Sequence, residues 1–173
     1  MTELRRPRPL DPSLHDRSSF DSGSSGLDAW LGRYSTQSHG RSTAATWVIA
    51  DAAGVVVAYV SLAMTSIDRG AAPSLLATHA ADSVPGLLIG RLAVERSRAG
   101  LGVGTALVAH VLATVVALNG RAACRAIVVS ALDDAARLWW ERLGFHRSDP
   151  ADEGNLDLYL LTGEIEATMR SLG

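Results

Sequence analysis

The segment Ala99-Gly-Leu-Gly-Val-Gly-Thr105 carries glycine at three alternate positions, Gly100, Gly102 and Gly104. Between a strand and a helix, such a run leaves backbone N–H groups free to converge on an anion. The helix dipole favours negative charge there, and the missing side chains let a phosphate approach the main chain. The same glycines equally serve a tight strand-to-helix turn with no ligand. A dinucleotide fingerprint needs a further glycine at position 105, which is Thr, and an acidic residue about twenty positions on. Asn119-Gly120-Arg121 stands there instead, so NAD binding is disfavoured.

Other chemistries are excluded by what the chain lacks. All 16 basic residues are Arg. Without Lys there is no Walker-type phosphate loop, no Schiff-base lysine and no Ser-Lys dyad. The single Cys124 rules out an internal disulfide and a multi-cysteine metal site. His15, His39, His79, His110 and His146 are scattered, with no H-E-x-x-H spacing, so a metal site is not expected. Ser22-Gly-Ser-Ser-Gly26 lacks the G-x-S-x-G spacing of a nucleophile elbow. The carboxylates nearest the loop and the later helix are Glu95, Asp133, Asp134 and Glu141. Each reads as a loop charge or a helix cap, so no general base stands out.

The elements that must position the loop emerge from periodicity and turn chemistry. Leu27, Trp30, Leu31 and Tyr34 at helical spacing predict a short helix that Ser24 or Ser25 would cap, with a polar linker over 37–43 after it. Ala45–Ala50 and Val55–Met64 predict two strands around an Asp51–Gly54 hairpin turn. Residues 67–85 read as an exposed excursion without assignable elements. Gly86–Val94 predicts a strand, 95–104 a charged loop, 103–118 a helix that Asn119-Gly120 stops, and Arg125–Ser130 a strand. A helix over 133–143 should be capped by Asp133 or Asp134 and stopped by Gly144. A strand over 156–161 and a helix over 164–172 complete the order, which indicates a mixed sheet carrying helices.

With 173 residues, 47% hydrophobic and 20% charged, the chain reads as a single domain over 1–173 whose first 19 residues are loose. A net charge of −2 gives no global attraction to nucleic acid, although local arginines can contribute. No stretch reads as a signal peptide or a bilayer span, so a cytoplasmic protein is expected.

The order Leu92-Ala-Val94, Ala99-x-x-Gly102-x-Gly104, a long helix, a strand and then Trp140-Glu-Arg-Leu-Gly144-Phe145 resembles the GNAT acetyltransferase family over about residues 45–162. The resemblance implies the α/β (α+β mixed) GNAT fold, a mixed twisted sheet with splayed central strands and flanking helices. It implies acetyl-CoA as cofactor. Its pantetheine arm would bond to Leu92, Ala93 and Val94, and its pyrophosphate would rest on the turn Ala99, Gly100, Leu101, Gly102, Val103, Gly104 and Thr105. Ala99 stands where the family has Gln or Arg. Leu101 stands where a basic residue is common, and Arg96 or Arg98 would compensate.

A narrower resemblance joins Phe20-Asp-x-Gly23, Leu27-Asp-x-Trp30-Leu31, Ser61-Leu-Ala63 and Gly90-Arg-Leu-Ala-Val94 to the GNAT toxins of toxin–antitoxin pairs. Those toxins acetylate the α-amine of aminoacyl-tRNA and so block translation. The resemblance implies aminoacyl-tRNA and a cognate antitoxin as partners, a homodimer, and Arg91 as a substrate-side residue. Arg5, Arg6, Arg8, Arg33, Arg41, Arg96 and Arg98 are further candidates for tRNA phosphates.

Trp140 stands where the family has a Tyr that protonates the departing CoA thiolate. An indole N–H donates a hydrogen bond but releases no proton near neutrality. Three readings are open: a Trp-bearing enzyme using water or another acid, a slow enzyme, and an acyl-CoA binder without chemistry. The first is the expectation. An acetyltransferase for a small amine or a protein N-terminus, and a catalytically impaired acyl-CoA-binding interaction module, are the alternatives.

Overall fold

The structure, a computed structural model, describes residues 4–172. These form two compact units, one of residues up to Ala63 with Gly90–Val111, the other of Met64–Ile89 with Leu112 onward.

The first unit carries β1 (Arg8–Pro9), β2 (Ala45–Ala50), most of β3 (Val56–Asp68) and the end of β4 (Ser83–Val94), in the order β1-β2-β3-β4. Strands β2 and β3 are antiparallel, with Trp47 opposite Val60 and Ala45 opposite Leu62. The expected hairpin turn forms because Asp51 Oδ1 accepts from the amides of Ala53 and Val55 at 2.9 and 3.0 Å. Gly54 closes it at φ +89°, where a Cβ would lie 2.6 Å from the carbonyl oxygen of Leu14. Gly54→Ala should therefore cost about 2 kcal/mol or more, from left-handed strain plus a backbone clash. A urea midpoint unchanged from the parent would contradict this.

The amino-terminal segment differs from the loose arrangement expected over 1–19, whose first three residues lie outside the described residues. Arg8 and Pro9 pair antiparallel with Val48 and Trp47. The amides of Arg5 and Leu10 donate to Ala50 O and Thr46 O, each at 2.9 Å. Main-chain bonding does not depend on the apolar periodicity that the segment lacks. Proline fits because β1 is an edge strand.

The first helical region is longer than expected. It comprises α1 (Ser25–Ala29), a π turn (Trp30–Tyr34) and α2 (Ser35–Gly40), so the predicted linker is largely helical. Ser24 makes no side-chain cap. The π turn carries the residue that α periodicity mistakes: Trp30 and Leu31 are buried, whereas Tyr34 is 51% exposed. The Leu31 carbonyl accepts from Ser35 Oγ at 2.6 Å and from Arg17 Nη1 at 3.2 Å. Phe20, Trp30, Leu31, Val48, Val56, Tyr59 and Ala93 form the core of this unit.

The second unit contains the end of β3, α3 (Ser74–Ala77), the start of β4, β5 (Ala126–Ser130), α5 (Asp134–Arg142), β6 (His146–Arg147), β7 (Asp157–Leu161) and α6 (Thr162–Leu172). Its strand order is β3-β4-β5-β7-β6. Strand β5 is parallel to β4 and antiparallel to β7, so the sheet is mixed as expected. The excursion over 67–85 is structured, because β3 extends to Asp68, β4 begins at Ser83, and Leu76 of α3 is buried. Arg125 Nε ties it down by donating to Leu76 O at 2.9 Å. Helix α5 matches its predicted signals. Asp133 Oδ1 accepts from the Ala136 amide at 2.8 Å, and Gly144 stands just beyond its end at φ +95°. Asp133→Ala should cost about 1 kcal/mol in thermal or urea unfolding. The long helix α4 (Val103–Asn119) spans the predicted residues and contributes a half to each unit.

Candidate functional site

Every residue expected to hold the CoA moiety lies in the first unit. The parallel register of β4 with β5 ends at Ile89 opposite Val129, whereas β4 runs on to Val94. Within that extension Ala93 is buried in the core, while Leu92 and Val94 are half-buried. The strand stays anchored to β3, since the Glu95 amide donates to Val57 O at 2.8 Å.

The chain then turns through a short 3-10 helix, Arg96–Arg98. Glu95 is absorbed there, accepting from the Ser97 amide at 3.0 Å and from its hydroxyl. Gly100 and Gly102 come next at φ +74° and +81°, and a Cβ on either would meet nothing within 4 Å. Space therefore stands open over this turn. The first helical bond of α4 runs from the Ala106 amide to Gly102 O at 3.0 Å. The amides of Val103, Gly104 and Thr105 precede it and belong to the unsatisfied donors of a helix start. Buried Val103 and Leu107 fix this end of the helix. Backbone donors, positive helix end and open space suit a pyrophosphate, so the residues present fit acetyl-CoA. Ala99 is exposed and Leu101 is 67% exposed, neither with charge to offer. Arg96 does not compensate: its guanidinium is paired with Asp21, which lowers the Asp21 carboxyl below its ordinary range.

Beside the strand end lies an aromatic group that the amino-terminal motif builds. Asp28 Oδ1 accepts from the Ser22 amide and hydroxyl at 3.0 and 2.6 Å, and Gly23 turns at φ +86°. Trp30 then stacks on Tyr59 with centroids 5.7 Å apart and planes 14° apart. Phe20 meets Tyr59 edge-on at 5.6 Å. The Tyr59 hydroxyl donates to Leu27 O at 2.8 Å, and burial pushes its pKa far above the ordinary phenol value. The Arg91 guanidinium carbon lies 4.7 Å from the centroid of the Trp30 ring. Nothing in the sequence singles out Tyr59, because an aromatic inside an apolar strand looks like any core residue.

Trp140 belongs to the second unit. It is 4% exposed and meets Trp139 and Phe145 edge-on at 4.8 and 4.9 Å. The candidate carboxylates are engaged as charges and caps: Asp133 caps α5, and Arg137 bridges Asp134 and Glu141 at 3.3 and 3.1 Å. Arg5 donates to Ala52 O at 2.7 Å. Among the described residues no helix is long and apolar enough to cross a membrane.

Comparison with known proteins agrees with this geometry. The pattern of the acetyltransferase (GNAT) family matches residues 11–145. A tRNA-acetylating toxin of Mycobacterium tuberculosis is 32% identical over 167 residues, covering 96% of this chain and 98% of that protein. Among solved structures, AtaT complexed with acetyl-methionyl-tRNAfMet superposes with a TM-score of 0.86 at 24% identity, over 96% of this chain and 99% of that one. The KacTA–DNA complex superposes with a TM-score of 0.81 at 25% identity, over 98% and 99%. With the glycine turn, the extended strand and this full-length similarity in agreement, the chain belongs to the GNAT acetyltransferase family.

Proposed function

We propose that this protein is a cytoplasmic toxin that acetylates the α-amine of aminoacyl-tRNA, acting as one acetyltransferase domain in a homodimer held in check by a cognate antitoxin. The observation that carries the reading is the open, glycine-lined helix start directly after a strand end, in a chain that aligns along nearly its whole length with a tRNA-acetylating toxin. Acetyl-CoA supplies the activated acetyl group when bound. The amides of Val103, Gly104 and Thr105 would hold its phosphates, and the backbone of Leu92–Val94 would orient its arm and polarise the thioester carbonyl.

The acceptor fits a site without an obvious base. An α-amine titrates near about 7.7–8.0 and is partly neutral at physiological pH, whereas a lysine amine near about 10.4 needs a strong base. A thiol with a reference pKa of about 8.5 leaves tolerably near neutrality. Position 140 therefore need not supply an acid, and Trp140 acts through packing within its own unit. An acyl-CoA binder without turnover is the second reading, favoured by the missing phenol at position 140.

Incubation with charged tRNA and labelled acetyl-CoA tests the proposal. Label should appear in the RNA fraction, attached to the amino acid, and the yield should fall steeply with salt because bound phosphates release counterions. Transfer to small amines alone, or binding without transfer, would overturn it.

A further inference from the structure

Arg91 is exposed, and among the described residues no carboxylate forms an ion pair with it. An unpaired surface arginine normally samples many rotamers. Here the guanidinium carbon sits over the Trp30 ring, 4.7 Å from its centroid. Trp30 is itself fixed, being 7% exposed and stacked on Tyr59, which is anchored by its hydroxyl to Leu27 O. A cation held against an aromatic face keeps its N–H edges free while its orientation is set. Arg91 also immediately precedes Leu92–Val94, so the edge is presented next to the strand end.

We infer that Trp30 is a positioning residue. It holds the Arg91 guanidinium in place, so that its fork meets a phosphate on the acceptor strand of the substrate tRNA. The inference rests on the reading of function above. It explains why Trp30 and Arg91, far apart in sequence, occur together with the aromatic partners that hold Trp30 in place. A planar fork pairs with two phosphate oxygens at once, and a point charge does not.

The test compares Arg91→Lys, Trp30→Leu and Trp30→Phe with the parent on charged tRNA. Arg91→Lys keeps the charge on an exposed position, so folding is not at issue, but it removes the fork. It should raise KM for charged tRNA about tenfold, leave kcat within about twofold, and leave the acetyl-CoA Kd unchanged. Trp30→Leu should do the same in the Arg91 background and add little in the Arg91→Lys background, since both remove one interaction. Trp30→Phe, which restores an aromatic face, should recover most of the loss. If Trp30→Leu does not fold, Arg91→Lys and Trp30→Phe still decide the matter. A lysine that fully replaces Arg91, additive effects in the double variant, or a changed acetyl-CoA Kd would each overturn the inference. Binding of uncharged tRNA by anisotropy, without acetyl-CoA, separates this from the proposed activity. Should the parent transfer no acetyl group, the activity falls, while equal tRNA affinity in the parent and Arg91→Lys defeats the role of the stack.

Discussion

Gly102→Val should abolish acetyl-CoA binding in calorimetry while the protein remains folded. Two effects act together. Gly102 sits at φ +81°, where a β-branched residue is a steric outlier. The cost of keeping that conformation is roughly 1–2 kcal/mol. A turn that relaxes instead loses the alignment of its donors. The new side chain also enters the open space over the turn, where its Cβ meets nothing within 4 Å beyond its chain neighbours. The competition is thus with the ligand and not with the core, so the fold survives. A charge-assisted hydrogen bond from a backbone amide to a phosphate is worth about 1.5–3 kcal/mol, and breaking even one or two of them weakens Kd about a hundredfold or more. Unchanged affinity in a folded variant would sink the assignment of the turn.

Trp140→Tyr should lower the rate on charged tRNA, although it introduces the phenol that the family resemblance implies at this position. The indole is enclosed, with Trp139 and Phe145 against it at 4.8 and 4.9 Å. A smaller ring leaves part of that volume unfilled and loosens Trp139 and Phe145, and small misplacements are costly in rate. Trp140→Ala should go further and destabilise the protein by about 3–5 kcal/mol, the range for removing a large buried aromatic. Steady-state rates of the Trp and Tyr forms, with urea unfolding of all three, check both parts. A many-fold gain for Tyr would refute this packing role and mark the native chain as a weakened enzyme.

The parts of the fold that were legible carry local signals. Helix α4 begins at Val103 and ends at Asn119 because glycines precede it and Gly120 stands after it. Helix α5 announces itself through its Asp133 cap and the Gly144 stop. The parts that were not legible depend on partners distant in sequence. Strand β1 exists through main-chain bonds to β2, and β6 through pairing of His146 and Arg147 with Tyr159 and Leu158. In the candidate site, the glycine turn was visible as a spacing. The commitment of Arg96 to Asp21 was not, because 75 positions separate the two residues. Nor was the burial of Tyr59 beneath Trp30, which only the folded chain brings about.

The π turn at Trp30–Tyr34 holds one residue more than an α-helix would use for the same span. Shortening the chain there is consequently an unusual kind of edit. Removing exposed Gly32 would let residues 25–40 wind as one regular helix, with the Ser35 amide still bonded to Trp30 O. The residues on either side would keep their phase, because the wide turn has already absorbed the extra one. Trp30 would stay against Tyr59 and beneath Arg91. The aromatic stack therefore does not depend on the extra residue. Relatives one residue shorter at this point would lose the π turn and keep the stack, so length variation here marks a tolerated insertion.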